Sequence, residues 1–365
     1  MTVERRPVSV SDFDGPTPSD YGALKRHRPW RRSKGNFMRA WQIHQLGDPW
    51  EALQLDDVPS PEPRPGQVRI AVEGTDLNFA DILQCQGSYQ VKLTPPFTPG
   101  MNSAGCIVAV GDGVELAIGQ RVTGSTAAGF GGFAEEAILE ASGCVVVPDD
   151  VDAVSAVAMH VTYGTSWFAL HRRGNLQPGE TVLVLAAAGG VGSSAVQMAK
   201  AHGCFVLAAA GGAEKVQVCR DLGADVAIDY ASEDLYQRVM DETAGRGVDV
   251  VYDPVGGDYF DIARRLVAWE GRLLVVGFAA GRIPQAPMNH VLVKNYSLVG
   301  VHMGGYRVAD PTPFAQCYEE LYELLRSGSI EPLVSQHLGL HDLPAGLKDL
   351  ADRKTTGRVV FDPTR

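Results

Sequence analysis

Between Met38 and about Val161 the apolar positions come in short, alternating runs: "MRAWQIHQ", "QVRIAVEGTDLN", "AGCIVAVG", "QRVTGST" and "EAILEASGCVVVP". Gly, Pro and Asp separate them. A period of two with β-branched residues and turn formers between the runs predicts a compact, mostly antiparallel β unit. Beyond that the pattern changes. "ETVLVLAA" (Glu180–Ala187) is apolar at every position, as in a strand covered on both faces, and "VGSSAVQMAKAHG" reads as a helix closed by Gly203. The alternation continues with strand "CFVLAAAG", helix "AEKVQVCRDLG", strand "ADVAIDY", helix "SEDLYQRVMDETAG" with Ser232 as N-cap, strand "VDVVYDPVG", helix "DYFDIARRLVAWEG" and strand "RLLVVGFA". Units of about 25 residues predict an α/β, doubly wound parallel sheet. "YSLVGVHM" adds a strand, "TPFAQCYEELYELLRSG" an amphipathic helix, and "LPAGLKDLADRKTTGRVVFDP" a helix and a strand. These last pieces lack the βα rhythm. The expected organisation is a first domain over 38–162, an α/β domain over 163–300 inserted into it, and a return to the first domain over 301–365.

Composition changes this picture at the N-terminus. Residues 1–37 carry eight Lys/Arg against four Asp/Glu, no apolar periodicity and no signal-like apolar core. They read as a disordered basic extension. The other 24 Lys/Arg face 39 Asp/Glu, within a chain of net charge −11. That balance disfavours nucleic acid or an anionic membrane as partner. No apolar run is long enough to span a membrane. Six cysteines at scattered spacings, without C-x-x-C, fit reduced thiols in a cytoplasmic protein.

The candidate chemistry starts at "LVLAAAGGVGSSAVQMAK" (Leu183–Lys200). Small residues after a strand and before a helix let backbone N–H groups approach a pyrophosphate at the helix N-terminus. Ala187 stands where the G-x-G-x-x-G pattern has its first glycine, which is tolerable if its φ is negative. The second strand ends "LAAAGGAEK". It has no acidic residue at its tip for a ribose 2′-hydroxyl, and Lys215 is near enough to pair with a 2′-phosphate. That points to NADPH.

"PGMNSAGCIVAVGDGV" (Pro99–Val114) resembles the G-H-E-x-x-G-x5-G zinc segment of medium-chain alcohol dehydrogenases, with Met101 and Asn102 in place of His and Glu. Neither is a good zinc ligand, so no metal is expected. Without a Lewis acid, the substrate should accept hydride without strong carbonyl polarisation. "GETVLVLAAAGGVGSSAVQMAK", "NFADILQCQGSY", "GGFAE", "VTYGTSWFAL", "DPVGGDYF", "WEGRLLVVGFAAG" and "RKTTGRVV" resemble the zinc-independent, zeta-crystallin-like quinone oxidoreductases of the medium-chain dehydrogenase/reductase superfamily. The resemblance runs from about Met38 to Pro363. It implies a GroES-like domain holding a Rossmann domain, and a homodimer joined through the Rossmann sheets. It also implies site residues. Ala187, Gly189, Gly190, Val191 and Gly192 would cradle the pyrophosphate. Gly211, Lys215 and Arg353 would surround the 2′-phosphate, with Tyr230 beside the adenosine. Thr165, Phe278 and Met303 would line the nicotinamide pocket, and Asn78 and Tyr89 the substrate cleft. Relatives often have Ser or Thr after Gly211; Gly212 here removes one phosphate contact.

Three functions fit. They are a quinone reductase, a reductase of α,β-unsaturated carbonyls (enone, enal or acryloyl thioester), and an NADPH-binding structural or RNA-binding protein of crystallin type. A developing oxyanion needs a donor, for which Asn78 and Tyr89 are the candidates. Asn78 reads equally as a strand-end turn residue, Tyr89 as packing, and Asp81 as a helix or turn cap. His160 and His171 read as structural.

Overall fold

The computed structural model describes residues 36–365. The expected disorder of the N-terminal extension lies outside them, except that Phe37 already belongs to a strand. The first lobe contains β1 (Phe37–Ile43), α1 (Pro49–Ala52), β2 (Leu53–Pro59), β3 (Gln67–Asp76), α2 (Phe79–Cys85), β4 (Asn102–Val110), β5 (Arg121–Ser125), β6 (Glu136–Glu140) and β7 (Val145–Val146). A long helix, α3 (Ala153–Trp167), follows. The second lobe alternates β8 (Thr181–Leu185), α4 (Gly190–Ala201), β9 (Phe205–Ala210), α5 (Ala213–Asp221), β10 (Val226–Asp229), α6 (Leu235–Glu242), β11 (Val248–Asp253), α7 (Gly257–Leu266), β12 (Val267–Val275), α8 (Met288–Lys294) and β13 (Ser297–Gly300). The chain closes with α9 (Met303–Ala309), α10 (Pro313–Arg326), β14 (Val334–Leu338), α11 (Leu343–Ala351) and β15 (Arg358–Phe361).

The second lobe is a six-stranded parallel sheet of order β10-β9-β8-β11-β12-β13. Its chain reverses direction of growth between β8 and β11, the place where such sheets bind ligands. The run "TVLVL" shows why periodicity was silent here: Val182 and Val184 enter one core cluster, Leu183 and Leu185 the other, and all are fully buried. The first lobe is a seven-stranded sheet in which β3 pairs antiparallel with β4, β6 and β15. β15 and β14 bring the C-terminus back into it.

The sequence reading did not mark the helices α1, α3, α8 and α9, and three further details differ from it. The limit between residues 162 and 163 falls inside α3, which packs on β3, β4 and β5 and also on α4. The core shared by α3, α4, β8 and α10 does not stop at that limit, so the helix belongs to both lobes. "VAWE" is strand rather than helix. β12 starts at Val267 and makes a bulge opposite Val248–Val250, with Glu270 at φ +58°. Finally, α6 starts later than expected: Asp234, not Ser232, accepts the Gln237 N–H as N-cap.

Candidate functional site

The glycine turn joins β8 to α4. The left-handed residue in it is Ala186, at φ +49°, while Ala187 is not in that region. Ala187 is fully buried and donates its N–H to Ala209 O at 3.0 Å. The methyl at Ala187 is therefore accommodated, and the backbone strain sits one residue earlier, a position no spacing rule marked. Gly192 is forced by close approach: a Cβ there would lie 2.2 Å from Ala186 O. Gly189 precedes the first turn of α4, whose first N–H groups lack partners within the helix. Val191 is half-buried, and its carbonyl accepts the Ser166 and Ser194 hydroxyls.

The C-terminal strand docks on this turn. Gly357 N donates to Ala188 O at 2.9 Å, and Gly189 bridges to Gly357. Next to it, Arg358 passes under Gly190, where a Cβ would meet its Nη1 at 2.9 Å. Arg358 Nη2 pairs with buried Asp76 and donates to Leu77 O and Asn78 Oδ1, both at 2.9 Å. Its Nε is enclosed and has no partner. An orphaned guanidinium donor beside a glycine turn and a helix N-terminus suits a pyrophosphate. The sequence reading missed Arg358, although "TTGRVV" set a Gly-Arg pair in the returning strand.

At the tip of β9, Tyr230 packs on Gly211: a Cβ there would come 2.9 Å from the ring, which would have to shift. Burial raises the Tyr230 hydroxyl above its usual value, and the Arg353 charge partly offsets that. Lys215 Nζ donates to Arg353 O at 3.0 Å. Gly211, Lys215, Tyr230 and Arg353 thus meet at one place. One expectation fails there. A carboxylate does stand at this tip: Asp229, from the end of β10, accepts Gly212 N at 2.8 Å and Ala231 N at 3.0 Å. Those backbone bonds hold its carboxyl below the usual range, so it is ionised. It comes from the neighbouring strand, which is why the tip of β9 alone did not reveal it. Two cations and one anion face this corner.

A cleft of about 610 Å³ opens between the lobes. Asn78, Tyr89, Thr165 and Met303 line it. Thr165 Oγ1 faces Met303 Sδ at 3.9 Å. Phe278 is not in the lining. β12 ends at Val275 and the chain turns over 278–281, so Val276 takes the wall while Phe278 lies 41% exposed over Gly256. Asn78 is already committed: its NH2 donates to Asp76 O and Oδ1 at 3.2 and 3.1 Å, and its Oδ1 accepts from Arg358. The turn role therefore outweighs the catalytic one. Asp81 is a cap, as read: it accepts Asn78 N at 2.8 Å and Met101 N at 3.0 Å. Full burial lifts its carboxyl to about 7. His160 stays out of the cleft. Its imidazole is fully buried between Arg307 Nη2 (3.2 Å) and Tyr318 Oη (3.1 Å). Burial first, and then Arg307, push it down to about 3. His171 packs its ring on His202 at 4.9 Å.

Met101 and Asn102 line the cleft, and among the described residues no three His, Cys, Asp or Glu side chains are grouped to hold a metal ion. None of the six cysteines is in a disulfide, and no helix among the described residues is long and apolar enough to cross a membrane.

Residues 64–149 match the alcohol dehydrogenase GroES-like domain and residues 190–325 the zinc-binding dehydrogenase model. The quinone oxidoreductase-like protein 2 homolog of Nematostella vectensis is 37% identical over 340 residues, covering 92% of each chain. A mycobacterial protein solved in complex with NADPH superposes with a TM-score of 0.80 at 33% identity, covering 89% of this chain and 100% of that one. Escherichia coli quinone oxidoreductase, also complexed with NADPH, gives 0.80 at 27% identity with the same coverage. A parallel sheet set into a GroES-like lobe, a glycine turn clamped by the returning strand, and these likenesses together have one reading: the chain belongs to the medium-chain dehydrogenase/reductase superfamily, in the branch that holds the quinone oxidoreductases and quinone oxidoreductase-like proteins.

Proposed function

We propose that this protein reduces a quinone with NADPH and uses no metal. The observation that carries the reading is a corner where Lys215 and Arg353 outnumber Asp229 beside Gly211 and Tyr230, together with a glycine turn and a cleft lined without Asp, Glu, Lys or Arg. The relatives solved with NADPH support the same cofactor here. Gly189, Gly190, Val191, Gly192 and Arg358 would hold the pyrophosphate, and Lys215 and Arg353 the 2′-phosphate. Thr165 and Met303 would face the nicotinamide. NADPH, when bound, supplies a hydride. The chain's own contribution is positioning: it fixes the acceptor in a walled cleft and excludes water. The hydride brings two electrons and one proton, and a second proton, from the Tyr89 hydroxyl or from water, completes the hydroquinone. Tyr89 is the phenol on the cleft wall. Zinc independence is supported by Met101 and Asn102, which offer a thioether and an amide where zinc relatives have ligands.

A conjugated enone or enal is the second reading, because it too takes hydride without a metal and fits a cleft without Asp, Glu, Lys or Arg. The sheet edge supports a homodimer. β13 is the last strand of its sheet, and Trp269, Leu292 and Val293 on β12 and α8 are exposed. Free cysteines support a cytoplasmic setting. The test is an NADPH-oxidation screen of quinones beside enones, enals and acryloyl thioesters, run on the wild type and on Lys215→Ala. Loss of a charge-assisted contact should raise KM for NADPH roughly tenfold or more and leave NADH use unchanged. An equal effect on both cofactors would refute the 2′-phosphate assignment.

A further inference from the structure

The cleft is lined without a single Asp, Glu, Lys or Arg. Apart from His302, its polarity comes from amides and hydroxyls, and several of them are already spent. Thr126 donates to Gly100 O at 2.8 Å, and Asn78 is bound to Asp76 and Arg358. Two carboxamides are different. Gln84, on α2, is 8% exposed and lines the cleft, and its carboxamide has no hydrogen-bond partner among the described residues. Asn102, at the start of β4, is 7% exposed and lines the same cleft. Its Oδ1 accepts the Ser125 hydroxyl at 3.1 Å, which leaves its NH2 group without a protein partner. Neither amide is among the fully enclosed orphans, so each opens on the cleft. Leaving a desolvated amide unpaired costs about 1–3 kcal/mol, which a bound acceptor oxygen would recover.

Asp81 links the segments that carry these two groups. It lies one turn before Gln84 on α2, and it holds the backbone N–H of Met101, the residue before Asn102. The walls that carry the two amides are therefore tied by one buried carboxylate. Such fixed donors lose little on binding.

We propose that Gln84 and Asn102 read the acceptor, their N–H groups donating to the oxygens of an uncharged, flat substrate in the cleft. This rests on the reductase reading above. It also predicts that anionic acceptors are disfavoured, since no Lys or Arg stands on the walls and His302 is the one lining side chain able to carry positive charge.

The full chain is assayed with NADPH and para-naphthoquinone, its sulfonated analogue, and cyclohexenone. Binding of each acceptor without turnover is followed by tryptophan-fluorescence titration in the absence of NADPH. Gln84→Leu should weaken binding of para-naphthoquinone and raise its KM about tenfold while NADPH affinity stays within about twofold. Gln84→Met, which keeps the length of the side chain, should do the same and serves if the leucine variant folds poorly. The wild type should prefer the unsulfonated quinone by about tenfold or more. Unchanged acceptor binding in both variants, or equal use of the sulfonated compound, overturns the proposal. A wild type that turns over cyclohexenone and no quinone refutes the quinone reading alone; the same tenfold shift on the enone then decides for or against Gln84.

Discussion

Arg358→Met is the sharpest perturbation of the junction between the lobes. Arg358 is buried, and its Nη2 meets Asp76, Leu77 O and Asn78 Oδ1 together. Asp76 is fully buried. Desolvation raises its carboxyl above the usual value, and Arg358 is the largest influence pulling it back. Removing one partner of a buried pair costs about 3–5 kcal/mol, because the other charge stays behind without water. For the 330 residues from Asn36 to Arg365 that is a fall of about 4–7 °C in thermal midpoint. The pH dependence has a definite sign. A carboxyl whose folded pKa is raised stabilises the fold below its unfolded value, and that contribution is lost as pH rises through the folded pKa. Without Arg358 the Asp76 pKa moves further up, so the defect should be mildest at acidic pH and grow as pH rises. The assay is urea and thermal unfolding by circular dichroism of Arg358→Met, Asp76→Asn and the double variant. Coupling of at least about 2 kcal/mol is expected, with the double variant more stable than the sum of the singles. Additivity within about 0.5 kcal/mol, or a defect that shrinks as pH rises, would refute the reasoning.

Asp81→Asn should remove one proton's worth of pH dependence. With its folded pKa raised to about 7, Asp81 costs stability as pH rises from about 4 to 7, at most about 1.4 kcal/mol per unit, and the variant's stability profile should be flatter over that range. Gly192→Ala puts a methyl 2.2 Å from Ala186 O, and the backbone must shift. A loss of about 1–3 kcal/mol and NADPH binding weakened by about tenfold or more are expected in thermal melts and fluorescence titration; unaltered binding would exclude this turn as the cradle. If the sheet edge is the dimer contact, Trp269→Glu combined with Leu292→Glu should move the protein from dimer to monomer in light scattering, and no change in mass would send the contact elsewhere.

The sequence by itself determined the βα alternation of the second lobe and the superfamily. "TVLVL", too apolar for one buried face, and the βα rhythm after it leave few folds open, because strands of a parallel sheet are covered on both sides. The glycines of the turn were legible for the same local reason: Gly192 is needed because of a residue six positions before it in the same turn. Tertiary structure decided the rest, wherever the partner comes from a distant segment. Arg358 gains its place from β15 pairing beside β3, some 280 residues away from Asp76. Asp229 reaches Gly212 only because β10 lies next to β9. Phe278 leaves the cleft because β12 ends at Val275 and the chain turns over 278–281. Gln84 looked like an ordinary helix residue, and only the burial of its carboxamide without a partner set it apart. Side-chain periodicity reports which face of an element is buried. It does not report what that face meets, and in this protein the charge pairing and the free donors of the cleft are settled by contacts between segments far apart in the chain.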